Sequence, residues 1–161
     1  SGQPAEAALF ADALAIFDHV MAENSEIAVM GRSLGSGVAV FVASERPVER
    51  LVLVTAFDSL VNVAREYLRW LPVGWLLRDR YESVSRAGNV KAPVLMVVAG
   101  EDEIVPRARS EALARAFPVS QVRVEIVPRV GHNTLDWSPA YLEAVRRFLA
   151  MDDEQITSTQ R

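Results

Sequence analysis

Three side chains, far apart in the sequence, carry the chemistry this chain could perform: Ser33, Asp102 and His132. A serine hydroxyl is a poor nucleophile at neutral pH. It needs a base to take its proton, and the base needs an acid to orient it. Ser33 lies in Gly31-Arg32-Ser33-Leu34-Gly35, a G-x-S-x-G pattern. Chance alone produces that pattern on the order of 5% of the time in a chain this long, so context decides. The pattern directly follows an apolar run and directly opens a small-residue helix. A strand-to-helix turn that sharp strains the serine backbone and pushes Oγ into the open. Gly31 and Gly35 fit the need for little bulk two residues to either side, and Gly37 and Ala39 fit a helix packed closely on a sheet.

The chain has two histidines. His19 sits amid Asp18 and Glu23 on a helix and reads as a solvated surface residue. His132, in Val130-Gly131-His132-Asn133, is the remaining base. For the acid, Asp102 in Ala99-Gly100-Glu101-Asp102-Glu103-Ile104-Val105-Pro106 follows a strand and completes the order Ser…Asp…His. Asp58 is the rival, but capping a helix would satisfy it without catalysis. Glu101 and Glu103 are expected to point to solvent.

The elements must bring these loops to one place. Apolar residues at helical spacing from Leu9 to Met21 predict a first helix, begun near Pro4 and ended by Asn24-Ser25. A short apolar run at Ile27–Met30 predicts a buried strand, and Leu51–Val54, Val94–Val98 and Val122–Val127 are read as the second, third and fourth. Helices are expected at Val38–Ala43, from Asp58 or Ser59 to about Arg69, at Arg107–Phe117 and at Pro139–Ala150. Alternation of strands and helices predicts an α/β fold of three layers, α/β/α, with a parallel sheet. Such sheets place their sites beyond the carboxyl ends of the strands. Ser33, Asp58, Asp102 and His132 all fall there. Between the second and third strands lies Trp70-Leu71-Pro72-Val73-Gly74-Trp75-Leu76-Leu77. This irregular apolar stretch suits an acyl group, an ordinary core or a membrane surface. Arg78, Asp79 and Arg80 read as a solvated charge run. Residues 151–161 are a polar tail expected to be disordered.

Bulk composition excludes several classes. A length of 161 residues allows one domain with a sizeable core. A net charge of −4 gives no basic footprint for nucleic acid. No apolar run reaches the roughly 18–20 residues of a membrane span. The absence of cysteine removes disulfides, thiolate catalysis and Cys-based metal sites; it fits the cytoplasm without establishing it. The chain opens Ser1-Gly2-Gln3-Pro4, with no Met and no signal-peptide pattern, and reads as a piece of something longer.

Gly31-Arg32-Ser33-Leu34-Gly35-Ser36-Gly37, Gly100-Glu101-Asp102 with Val105-Pro106, and Gly131-His132 resemble the α/β-hydrolase superfamily. More narrowly they resemble its small serine-hydrolase branch, near the acyl-protein thioesterase-like and monoacylglycerol-lipase-like members. The resemblance runs from Ser1 to about Ala150. It implies a partial α/β-hydrolase domain over residues 1–150, comprising strands five to eight with the N-terminal strands absent, and a short cap over about residues 58–90. It further implies hydrolysis of a carboxylic ester or thioester through an acyl-enzyme, with a small-molecule or acyl substrate and neither cofactor nor metal. A serine peptidase of the same fold and a non-catalytic interaction module are the alternatives. The cap and whatever precedes Ser1 are the places where a membrane could be touched, and oligomeric state is left open. Leu34 N–H would be one oxyanion donor. By resemblance the second comes from a loop after the family's third strand, which this chain lacks, and losing one donor costs roughly 10²–10³ in rate. The first strand would also be an open sheet edge, which invites pairing or aggregation. The chain alone is therefore expected to be poorly soluble or nearly inactive.

Overall fold

The computed structural model describes residues 5–151. The expected role of Pro4 and nearly all of the polar tail lie outside the described residues. Among the described residues strands and helices alternate as expected, save that three short helices follow one another between the second and third strands. The elements are α1 (Glu6–Met21), β1 (Ala28–Arg32), α2 (Leu34–Glu45), β2 (Arg50–Val54), α3 (Leu60–Tyr67), α4 (Val73–Leu76), α5 (Ser83–Arg86), β3 (Val94–Ala99), α6 (Arg107–Ala114), β4 (Val122–Val127) and α7 (Pro139–Leu149), with 3₁₀ turns at Ala87–Asn89 and Leu135–Trp137. The strands form one sheet in the order β1-β2-β3-β4, and every pairing is parallel.

Side chains alternate across a strand, and the core divides accordingly. Leu51, Leu53, Val94 and Met96 face one way, into a cluster with Phe17 of α1, Val40 and Ala43 of α2, and Leu113 of α6. Val52, Val54, Leu95 and Val97 face the other way, against Tyr141 and Phe148 of α7. The central strands are covered on both faces, which is why they read as continuous apolar runs. This is the expected three-layer α/β/α arrangement.

β1 is an edge strand: Met30 is 48% exposed, and an apolar groove lined by Ile16, Val20, Val29, Gly31 and Gly35 runs beside it. β1 also runs two residues past the expected Met30. The ladder continues through Gly31 opposite Leu53 and Arg32 opposite Val54, so pairing overrides the weak strand preference of Gly and Arg.

Gly31 is glycine for space. A Cβ there would stand 2.3 Å from the Gly35 carbonyl oxygen and 2.6 Å from Ala39 Cβ. β1 and α2 therefore touch through Gly31 and Ala39, as expected. Two expectations need correction. Among the described residues nothing lies within 4 Å of a Cβ on Gly35, and Gly37 makes room for Tyr81, whose Cβ would be 2.9 Å away, not for the sheet. Gly31→Ala is expected to destabilise the protein by about 3 kcal/mol, as overpacking against backbone does. A urea midpoint unchanged from the parent would contradict this.

Residues 58–90 lie against α1 and α2. Phe10 stacks on Phe41 at 4.0 Å and meets Tyr81 edge-on at 5.8 Å. The charge run at residues 78–80 is not merely solvated. Asp79 Oδ1 accepts the Glu6 N–H at 2.9 Å, while Glu6 Oε2 accepts the Arg80 N–H at 2.6 Å. The first orphan N–H of α1 thus finds its partner across the chain. Trp70 and Trp75 are 80% and 94% exposed, so they do not fill a core. Among the described residues, no helix is long and apolar enough to cross a membrane.

Candidate active site

Ser33 sits between the last residue of β1 and the first of α2 with φ 49° and ψ −121°. A non-glycine residue in that region costs about 1–3 kcal/mol unless its surroundings enforce it. Here they do. Ser33 N–H donates to Val54 O at 2.9 Å. Its carbonyl accepts from both the N–H and the hydroxyl of buried Ser36, at 2.9 and 2.5 Å. Thr55 and Arg129, just past β2 and β4, also have positive φ. Three of the four non-glycine residues with positive φ among those described thus lie at the carboxyl ends of strands, where such sheets keep their sites; the fourth is Tyr81.

The structure brings the three expected residues together. His132 Nε2 lies 3.1 Å from Ser33 Oγ. His132 Nδ1 lies 3.0 and 2.9 Å from the two carboxylate oxygens of Asp102. The histidine and aspartate side chains are 6% and 2% exposed. Asp102 Oδ1 also accepts from the N–H groups of Ile104 and Val105, at 2.9 and 2.7 Å. A carboxylate only accepts, so it holds the proton on Nδ1 and leaves Nε2 as the acceptor facing Ser33. Leu34 opens α2, where N–H groups lack an intrahelical acceptor.

Asp58 is elsewhere engaged. It is buried, and its carboxylate accepts from Ser59 N–H at 2.9 Å, Asn62 Nδ2 at 2.7 Å and Arg109 Nη1 at 3.2 Å. The helix cap itself is Ser59, whose Oγ accepts the Asn62 N–H at 3.1 Å. His19 is exposed, as expected.

Glu103 is exposed, as expected, but its carboxylate also has a partner. Its Oε2 accepts the backbone N–H of His132 at 3.0 Å. A Cβ on Gly131 would come within 2.6 Å of that oxygen, which accounts for the glycine. The carboxyl is held below its ordinary range, first by the Glu103 N–H, then by the His132 N–H, with the charge of His132 adding. A lowered folded-state value means the contact is present at neutral pH and is lost only as pH falls through that lowered value. Arg32, which the sequence pattern did not single out, donates from Nη2 to His132 O at 2.6 Å and from Nη1 to Asp136 Oδ2 at 2.6 Å.

Among the described residues there is no group of three or more His, Asp or Glu that could hold a metal ion.

Fold and site together define a class, the α/β hydrolases, and comparison with known proteins narrows it. The chain belongs to the dienelactone hydrolase family, whose family model matches residues 3–141. An uncharacterized protein of Mycobacterium tuberculosis is 42% identical over 155 residues, covering 92% of this chain and 54% of that protein. The α/β hydrolase domain-containing protein aho-3 of Caenorhabditis elegans is 29% identical over 163 residues, covering 99% of this chain and 48% of that protein. The chain thus spans about half the length of these curated relatives. Among solved structures, the monoacylglycerol lipase of Paleococcus ferrophilus superposes with a TM-score of 0.62 at 21% identity, over 92% of this chain and 75% of that one. The acetyl xylan esterase of Paenibacillus sp. R4 gives a TM-score of 0.71 at 21% identity, over 88% and 51%.

Proposed function

We propose that this protein is a serine hydrolase that cleaves a carboxylic ester or thioester through an acyl-enzyme. The observation that carries the proposal is the unbroken hydrogen-bond chain from Ser33 Oγ through His132 to buried Asp102, hung on a strained backbone at Ser33. Binding alone calls for neither the strain nor the buried acid.

In this reading Ser33 Oγ attacks the substrate carbonyl carbon while its proton passes to His132 Nε2. Asp102 stabilises the imidazolium and keeps its orientation. The Leu34 N–H donates to the developing oxyanion. The tetrahedral intermediate collapses, the C–O or C–S bond breaks, and the imidazolium gives its proton to the departing alcohol or thiol. Water, deprotonated by the same imidazole, then attacks the Ser33 ester. The acid leaves and the serine is restored. No redox step occurs, and no cofactor is required.

Residues 58–90 serve as the cap in this account. Tyr67, at the end of α3, reaches the main-chain carbonyls of Glu103 and Ile104 at 2.9 and 3.0 Å, which ties the segment to the loop of Asp102. Trp70 and Trp75 offer exposed apolar surface to an acyl chain. The lipase and esterase among the structural neighbours agree with an acyl substrate.

The test is intact-protein mass spectrometry after rapid quenching with an activated ester. A mass increase equal to the acyl group, mapped to Ser33, is expected. Turnover of esters with the label on another residue, or turnover untouched by loss of the Ser33 hydroxyl, would overturn the proposal.

A further inference from the structure

The side chains of Ser33 and Asp102 hold the imidazole ring of His132, but something else must hold its main chain. Two charged residues do so, and each is the sequence neighbour of one of those partners. Arg32 precedes Ser33, and its guanidinium donates to the His132 carbonyl at 2.6 Å. Glu103 follows Asp102, and its carboxylate accepts the His132 N–H at 3.0 Å. The polarity is matched: the anion meets the N–H and the cation meets the C=O. Charge-assisted bonds of this kind are roughly twice as strong as neutral ones. Asp136, four residues beyond His132, takes the other arm of the Arg32 fork at 2.6 Å. Arg32 therefore spans two points on the loop that carries the base. The end of β1 and the loops after β3 and β4 are tied together through one backbone residue.

We propose that Arg32 and Glu103 form a clamp on the main chain of His132 and are positioning residues for the base. The proposal rests on the serine-hydrolase reading given above. Neither side chain touches the reacting atoms. Their work is to fix the Cα from which the imidazole reaches Ser33. Sites of this kind tolerate about 0.5 Å and 10–20° of error, and displacement by about 1 Å can cost 10²-fold in rate. A ring held only by its two side-chain hydrogen bonds would keep its partners while losing their alignment.

The test compares the complete protein with Glu103→Leu, Glu103→Gln, Arg32→Met and Arg32→Lys, measuring kcat and KM on an activated short-chain ester and thermal unfolding. Glu103→Leu and Arg32→Met are each expected to lower kcat by about 10- to 100-fold with KM unchanged, the sign of an interaction that acts only on the chemical step. Glu103→Gln is expected to recover most of the loss, because its amide oxygen still accepts the His132 N–H. Arg32→Lys is expected to recover less, because an ammonium lacks the planar fork that spans His132 and Asp136. If Arg32→Met fails to fold, the Glu103 pair, which holds the N–H of the same residue, decides the matter. A folded Glu103→Leu with the parent kcat, or one no worse than Glu103→Gln, would overturn the clamp while leaving the hydrolase reading intact. A parent protein inert to esters and to serine-directed probes would overturn that reading and the clamp together.

Discussion

Asp102→Asn is expected to lower kcat by about 10⁴-fold, whereas Asp58→Asn leaves turnover near the parent value and loses about 2 kcal/mol of stability instead. The contrast follows from what each carboxylate touches. Asp102 Oδ1 is claimed by two backbone donors, Ile104 and Val105 N–H, at 2.9 and 2.7 Å. An asparagine must therefore keep its carbonyl oxygen there. Its NH₂ then takes the place of Oδ2, 2.9 Å from His132 Nδ1, where a donor faces a donor, and the acceptor left to the ring is Oδ1 at 3.0 Å, already shared by two N–H groups. The imidazole relieves the conflict by moving its proton to Nε2, and Ser33 then faces an N–H that cannot take its proton. Asp58 has no such link to the histidine. Its charge is met by Arg109 and Asn62, and Ser110 Oγ donates to the Ala56 carbonyl at 2.6 Å. Together these contacts fasten α6 to the loop after β2. Steady-state kinetics and urea unfolding of the two variants settle the comparison. A larger kinetic loss for Asp58→Asn would reverse the assignment of the acid.

Ser33→Ala is expected to remove turnover by about 10⁴-fold or more, since without the hydroxyl no acyl-enzyme can form. The same position carries a stability signature that a surface serine would lack. Alanine inherits φ 49° and its strain, so Ser33→Ala leaves stability near that of the parent. Glycine has no Cβ to clash, so Ser33→Gly is expected to be inactive yet more stable by about 1 kcal/mol. Inactivity joined to a rise in the urea midpoint would show that backbone strain is maintained for the chemistry. A Ser33→Gly variant no more stable than Ser33→Ala would mean that the turn is not strained.

Much of this arrangement can be read from residue pattern. β4 coincides with the expected Val122–Val127, an edge strand whose Arg123 and Glu125 alternate with apolar residues; β2 and β3 exceed their apolar runs by one residue each, because central strands buried on both faces are apolar almost throughout. The geometry around Ser33, Asp102 and His132 was readable because each stands just past a strand, and parallel strands deliver their loops to one rim. What escaped pattern is what depends on distance in sequence. Glu103 and Arg32 look like solvated loop and strand-end charges, yet their partner His132 is 29 and 100 residues away. No local periodicity encodes that. Asp79 and Glu6 meet across 73 residues for the same reason. Gly35 resembles Gly31 in the G-x-S-x-G motif, but Gly31 lies in β1 with no room for a side chain against α2, whereas Gly35 lies within α2 and a Cβ there meets open space. The tryptophans at 70 and 75 show the limit of hydrophobicity as a guide, since they are among the chain's bulkiest apolar side chains and stand in solvent.

The most direct measurement is reaction of the complete protein with a fluorophosphonate probe, followed by peptide mapping. One adduct is expected, on Ser33, formed rapidly in the parent and abolished in Ser33→Ala and His132→Ala while both variants remain folded. A folded parent that takes no label, or that takes it on any residue other than Ser33, would contradict it.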